Sequence, residues 1–351
     1  MANIYNCENC GGIMEFNPNT QTLQCPNCNN SIKIENFEEK IIEHRLTKHE
    51  LATIKATEKK SHTMECNGCG AKIEVDGNST TSQCPYCGSK YVLADKQEDA
   101  IIPDGIVPFK IDKHKCNEIF KSWIKGRWLA PRKLKHLYQI GELQGIYIPY
   151  WTFDAFVTGP YRARGGITRT HTYRDSEGKT RTKTVTNWYP VSGTVQNWFD
   201  DVLIPASTKI NTKILDDVDQ FNTKELVSYS PEYMSGYNAE CFNINLDSAH
   251  KNACNEMFEY MKDMVRNEIL RKYDKVDSIS LSPIYNNETY KHIVLPVYSL
   301  AYMYSNKLYN VVINGQNGAI DGEYPLSAVK ITAIVITILI LIFIIYLYFK
   351  G

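Results

Sequence analysis

The chain carries one cysteine frame twice. "CENC…CPNC" runs from Cys7 to Cys28 and "CNGC…CPYC" from Cys66 to Cys87, and both read C-x2-C-x14-C-x2-C. Each cysteine of the second frame follows its counterpart by 59 residues. A unit of about thirty residues is too small to bury an apolar core of its own. Four thiolates solve that problem: a C-x2-C turn puts two sulfurs on one knuckle, and two knuckles complete the tetrahedron of structural Zn2+. The residues between knuckles suit a hairpin, with "GIMEF" and "TLQ" as strands around "NPNT" in the first unit and "AKIEV" before "DGNS" in the second. Metal binding then supplies most of the folding free energy, on the order of 10–16 kcal/mol per site. The expectation is two structural zinc ions, one on Cys7, Cys10, Cys25 and Cys28 and one on Cys66, Cys69, Cys84 and Cys87. An iron–sulfur cluster is the other occupant such thiols accept, and a redox C-x2-C pair would need a βαβ context that is missing here.

Eight of the eleven cysteines lie in these pairs, and "MANIYNCENC" has neither a basic n-region nor an apolar run. Paired thiols without an export signal fit a reducing compartment. The formal net charge is zero, and residues 1–100 carry ten Lys and Arg against fourteen Asp and Glu. Phosphate binding needs a basic footprint, so nucleic acid is disfavoured as the partner of these units and protein contact is favoured. The units occupy residues 1–34 and 63–95. Between them, residues 35–62 are charged, and Phe37, Ile41, Leu46 and Ile54 form a weak helical stripe that predicts a solvated helical linker.

At the other end, Ile331 to Phe349 are nineteen residues without a charge. At 1.5 Å per residue they reach about 28 Å, close to the roughly 30 Å of bilayer hydrocarbon. Tyr346, Tyr348 and Phe349 suit an interfacial belt, with Lys330 and Lys350 as flanks. The reading is a transmembrane helix over 328–349: a cell-membrane protein with a single C-terminal anchor and the bulk of the chain cytoplasmic, because 330 polar residues without an export signal would not be translocated.

Residues 101–326 read as a mainly antiparallel, β-rich domain with a few helices, so the fold class is α+β. Cys116, Ile119, Phe120, Trp123 and Ile124 share a face of a helix expected from Asp112, its N-cap, to Lys125. Ala249, Ala253, Met257, Tyr260, Met261, Met264 and Ile269 stripe a second helix over Asp247 to Tyr273. The isolated Cys116, Cys241 and Cys254 read as small buried hydrophobes. One hairpin differs: "GITRTHTYRDSEGKTRTKTVTN" alternates threonine with charge, placing Arg169 and His171 on one face of its first strand and Arg181 and Lys183 on one face of its second. Residues 160–184 hold seven Lys and Arg against two acids. Such charge guards an exposed edge, meets anionic lipid headgroups or, as a third reading, contacts nucleic acid.

No segment provides catalytic machinery. The "GKT" at Gly178–Thr180 lacks the first P-loop glycine, Tyr173 standing in that place, and it sits in a hairpin. With "CPNC", "CPYC", "IVPFKI", "APRKL…GIYIPYWTFD", "GTVQNWFDDVLIPAS" and "LPVYSLAYMY…VVINGQNGAIDGEYP" together, the chain resembles a bacterial family of zinc-ribbon membrane proteins. Its members are often labelled transcription factor IIB type ribbons, primosomal helicase-like proteins or replisome organisers. The resemblance implies rubredoxin-like ribbons with the eight ligands named above, and partners such as phage shock protein A or flotillin-like proteins in an envelope-stress module. Helicase activity does not carry over without a P-loop. The resulting expectation is a non-enzymatic, membrane-anchored adaptor; the rival is a nucleic-acid-binding replication accessory protein.

Overall fold

A computed structural model describes residues 5–34, 41–55, 102–134, 143–174, 176–208, 214–215, 218, 220–304 and 307–350, with backbone strands at 62–65, 72–75, 81–83 and 90–92. The first cysteine unit is a three-stranded antiparallel sheet, β1 (Glu15–Asn17), β2 (Thr22–Gln24) and β3 (Ser31–Lys33). A two-residue strand, β4 (His44–Arg45), and a short helix, α1 (Lys48–Thr53), follow. Next come β5 (His62–Glu65) paired with β6 (Lys72–Val75), and β7 (Thr81–Gln83) paired with β8 (Lys90–Val92). β7 and β8 stand 59 residues after β2 and β3, and the pair Glu65↔Lys72 repeats the bridge Asn6↔Ile13 at the same offset. The β2–β3 ladder and the Asn6↔Ile13 bridge of the first unit thus recur in the second, while the β1–β2 ladder has no counterpart among the described residues.

The larger domain is built on a sheet of ten strands among the described residues. After β9 (Gly105–Ile106) and helix α2 (Lys113–Gly126) come two very long strands, β10 (Gln144–Arg174) and β11 (Thr180–Pro205). Then follow β12 (Val227–Ser228), β13 (Asn238–Ala239), helix α3 (Leu246–Leu270), β14 (Lys275–Leu281), β15 (Ile284–Tyr304), β16 (Lys307–Asn314) and β17 (Ile320–Gly322). The main order is β11-β10-β15-β16-β17, all antiparallel; β14 and β15 run end to end along one edge of β10.

"GIYIPYWTFDAFV" is apolar without alternation because both faces of β10 are covered there. Tyr147 faces the core that holds α2, Ile148 and Tyr150 face the opposite side with Ile293 and Leu295, and Trp151, Phe153 and Val157 pack toward α3. α3 lays Leu246, Ala249, Ala253, Met257, Met261, Val265 and Ile269 on that sheet, a stripe at three- and four-residue spacing. The helix stops at Leu270 rather than Tyr273, and Tyr260 faces out, where its ring meets Phe199 edge-on. Met261 is fully buried, so Met261→Ala should cost about 2–5 kcal/mol through lost packing and a cavity. Urea unfolding of the full chain in detergent, followed by circular dichroism, should show the lowered midpoint.

Asp112 caps α2, its carboxylate accepting from Lys115 N at 2.7 Å. The Lys115 N–H, and next the Asn19 amide, hold this carboxyl below its usual range.

Of the linker expected over 35–62 as a solvated helix, residues 41–55 are described. Among its described residues, helix is confined to α1, opened by a capping box between Thr47 and Glu50. β4 joins the sheet beside Thr289 and Tyr290, while Leu46, Leu51 and Ile54 pack on the α3 core. Too few apolar positions recur at helical spacing to bury a long helix, whereas an open edge of β15 supplies backbone partners for two residues.

Candidate metal centre

Each knuckle of the first unit is built by its backbone. Cys7 N donates to Gly12 O and Gly11 N to Cys7 O, at 2.7 and 2.8 Å. In the second knuckle Cys25 N donates to Asn30 O and Asn29 N to Cys25 O, at 2.8 and 2.9 Å. The residue after each C-x2-C pair takes the left-handed conformation, Gly11 at φ 71° and Asn29 at φ 60°, and these are the two residue types that adopt it most readily. The knuckles bring the four sulfurs within 4.8 Å of one another, with Cys7 to Cys28 and Cys10 to Cys25 both at 3.5 Å.

A tetrahedral zinc–thiolate site with Zn–S near 2.3 Å separates its sulfurs by about 3.8 Å, so these thiols fit such an ion. Their acid–base behaviour points the same way. Burial works against the Cys7 thiolate, yet the N–H groups of Cys10 and Asn9, helped by Cys28 and Asn30, bring it down to about 6. The backbone N–H of Asn30 favours the Cys28 thiolate, but the crowding of Cys10, Cys7 and Cys25 sulfurs pushes it up to about 12. Four negative sulfurs cannot share this space alone; a divalent cation removes that obstacle and draws off the remaining protons.

The first unit does not stand apart from the sheet domain. Met14, Phe16, Leu23, Cys7 and Cys25 lie in one core with Phe109, Phe120, Tyr147, Tyr233 and Tyr237. The Phe16 ring meets Tyr233 edge-on at 5.2 Å, Ser235 Oγ donates to Met14 O, Phe16 N donates to Ser235 O, and Gln21 Nε2 donates to Phe109 O. A bound metal would therefore be one of two supports for this unit, and the expectation that it supplies most of the folding free energy is corrected by the borrowed core. The shared core faces Cys7 and Cys25; Cys10 and Cys28 are exposed on the other side. A cleft of about 320 Å³ opens at the junction, lined by Glu15, Asn17, Gln24, Asp112 and Tyr237. The second quartet, Cys66, Cys69, Cys84 and Cys87, lies outside the described residues.

The basic hairpin is brought together more tightly than the sequence alone specifies. Register pairs Arg169 with Val185, His171 with Lys183 and Tyr173 with Arg181, so Arg169, His171, Arg181 and Lys183 share one face, and all four are exposed. Of the three lone cysteines, Cys116 is buried as expected, its thiol pushed far up by burial and then by Asp112. Cys241 is half-buried, and Cys254 departs from expectation more clearly, lying half-buried beside His250 and Glu288.

A buried ionic knot lies at the centre of the sheet. Asp154 accepts from Asp201 N and Thr289 Oγ1, and Lys291 reaches Asp201 at 2.7 Å and Glu43 at 3.2 Å. Burial opposes the Lys291 charge, but Asp201, then Asp154 and Glu43, keep it protonated. Asp201 and Asn287 both have positive φ where the register of β10 with β11 and β15 slips, so the knot pins two bulges and is structural. Sequence periodicity carries no signal for it, because the partners are distant in the chain.

The last helix, α4 (Ala328–Lys350), has a 22-residue span of mean hydropathy 3.0, none of it buried, and is long and apolar enough to cross a membrane. Its start is tied to the body: Ser327 N donates to Leu129 O, and Lys330 Nζ donates to Trp128 O and Ala130 O.

No family model matches the sequence, and no solved structure matches it. The chain is similar to a Bacillus subtilis (strain 168) protein, Uncharacterized protein YdjG, at 26% identity over 329 residues, which covers 94% of this chain and 92% of that one. The likeness runs through nearly the whole of both chains.

Proposed function

We propose that this protein is a non-enzymatic membrane adaptor: a C-terminal helix anchors it, most of the chain lies on the cytoplasmic side, and two zinc ribbons make the contact with a protein partner. One observation carries the reading. A continuous series of contacts leads from the four sulfurs through the shared core to α2, from the end of α2 to the turn at Trp128, and from that turn to Lys330 at the start of the apolar helix. A ribbon attached in this way is presented at a set attitude to the bilayer, which suits recognition and serves no turnover. The ribbon packs on the sheet domain, and its exposed side, with Cys10 and Cys28, is the surface offered.

The turn itself suits a membrane interface. Trp128 is 64% exposed, Arg132 and Lys133 are exposed nearby, and Arg127 stacks over Trp123 at 4.6 Å. Phage shock protein A and flotillin-like proteins remain the partner classes implied by the family resemblance. The test is a photo-crosslinker at Asn9 on the exposed knuckle, activated in living cells. Protein cross-links that vanish with Cys10→Ser support the adaptor. A DNA mobility shift by the purified chain, lost at high salt and on Cys10→Ser, would favour the replication accessory instead.

The hairpin face gives a further expected result. If it meets anionic headgroups, replacing Arg169, Arg181 and Lys183 by Gln removes about 1 kcal/mol each, roughly a hundredfold in local attraction. A fluorophore at Thr172 in reconstituted liposomes should be quenched by brominated phosphatidylserine in the parent and not in the variant. Equal quenching in both assigns the charges to guarding the strands.

A further inference from the structure

Outside the cysteine quartet, one other cluster of metal-ligating side chains stands among the described residues: His250, Cys254 and Glu288. His250 and Cys254 are four residues apart on α3, which puts them on one face a single turn apart. Glu288 comes from β15, two residues from Tyr290, whose ring lies in the α3-facing core, so strand alternation directs it to the same side. It adjoins Asn287, the positive-φ residue of the bulge. The three donor atoms lie within 4.8 Å of one another.

Two simpler roles fit the geometry less well. A nucleophilic relay would use both imidazole nitrogens, one toward the thiol and one toward the carboxylate. Here Glu288 Oε2 and Cys254 Sγ both meet the same nitrogen, His250 Nε2, at 2.6 and 3.4 Å. A stabilising ion pair would need only the carboxylate and the imidazole, and leaves the thiol at the same nitrogen unexplained. Convergence of sulfur, nitrogen and oxygen on one point is what a shared cation requires. With Zn–N near 2.0 Å and Zn–S near 2.3 Å, tetrahedral ligands N and S stand about 3.5 Å apart, and the observed pair is already there. The carboxylate would have to withdraw by roughly 0.8 Å, within the reach of a side-chain rotation.

The supporting frame is made of contacts independent of the three side chains. Tyr285 Oη donates to Cys254 O at 3.0 Å, and Leu46 N donates to Glu288 O at 3.0 Å. The His250 and Glu288 side chains keep 18% and 27% exposure, so an ion can enter and yet be partly shielded from water. We propose that His250, Cys254 and Glu288 form a further metal site, taking a zinc-class divalent cation on three protein ligands with the fourth position left to solvent. The mixed thiolate, imidazole and carboxylate set is borderline in softness, as Zn2+ prefers, and three ligands rather than four mark a site whose metal can exchange its water.

The alkylation readout is taken at Cys254 itself, so it does not depend on what the cysteine quartets hold. The full chain in detergent is treated with iodoacetamide, with and without added Zn2+, and alkylation of the Cys254 peptide is followed by mass spectrometry. Zn2+ should slow that alkylation by about tenfold or more, because a metal-bound thiolate is withdrawn from attack. His250→Gln and Glu288→Gln should each relieve the protection. Added Co2+ should give a sulfur-to-cobalt charge-transfer band that Cys254→Ser diminishes. Alkylation of the parent chain unchanged by Zn2+, or a cobalt band of equal size in Cys254→Ser, overturns the proposal and leaves a hydrogen-bonded cluster only. The parent-chain measurement decides the matter even where a variant does not fold.

Discussion

Cys25→Ser is expected to destabilise far more of the protein than the small sheet that contains it. Cys25 is fully buried and sits in the core that Met14, Phe16 and Leu23 share with Phe109 and Tyr147 of the large domain. A serine there removes one of four ligands, and structural zinc contributes about 10–16 kcal/mol to folding such units. Part of that is retained, because the ribbon is also held by side chains. A net loss of about 5 kcal/mol would lower Tm by roughly 10–20 °C in a domain of this size. Bound metal should fall by one ion per chain, measured by elemental analysis. Hydrogen exchange should quicken in the ribbon and also at the residues it covers, around Tyr233 and Tyr237. Cys10→Ser should cost the same ion with less loss of core, since Cys10 is exposed. An unchanged metal content in Cys25→Ser would remove the zinc assignment.

Truncation before Ala328 is expected to move the protein from the membrane to the soluble fraction. Between Ile331 and Phe349 there are fourteen Ile, Leu, Val and Phe residues. At about 0.3–0.6 kcal/mol each on an insertion scale they favour the bilayer by about 4–8 kcal/mol, a factor of roughly a thousand to a million. Fractionation of cell lysates, with a high-salt wash to strip electrostatic attachment, reads this directly. A truncated chain that stayed on salt-washed membranes would show that the helix is dispensable for attachment. A milder version places one charge mid-helix: Ile340→Lys should cost about 2.5–3.5 kcal/mol of insertion and weaken retention without removing it.

Local signals in the sequence were those with a short-range physical cause. The C-x2-C spacing determines the knuckles, because two sulfurs three residues apart with Gly11 or Asn29 behind them close the same turn wherever they stand. Asp112 as a cap, the α2 face of Cys116, Phe120 and Ile124, and most of the α3 stripe follow from helical spacing alone. An apolar run that tolerates no charge for nineteen residues likewise declares itself.

What the sequence by itself determined, then, was the chemistry of the two ends and the class of the middle: a duplicated set of thiols, an apolar tail and a mixed fold with antiparallel sheet. Tertiary structure alone decided how these meet. In the described part of the linker, Leu46 and Ile54 found partners on the α3 core and helix is confined to α1, because burial against an existing surface outweighs a weak local propensity. The ribbon's Met14 and Phe16 were read as hairpin residues, and it is Tyr233 and Tyr237, more than two hundred residues on, that complete their burial. Cys254 looked solitary because its neighbours His250 and Glu288 are joined by a helix turn and a bulged strand, a proximity that no periodicity encodes. Spacing along a chain reports contacts within a turn or a strand; contacts between elements depend on which surfaces are left to cover, and those exist only once the sheet has formed.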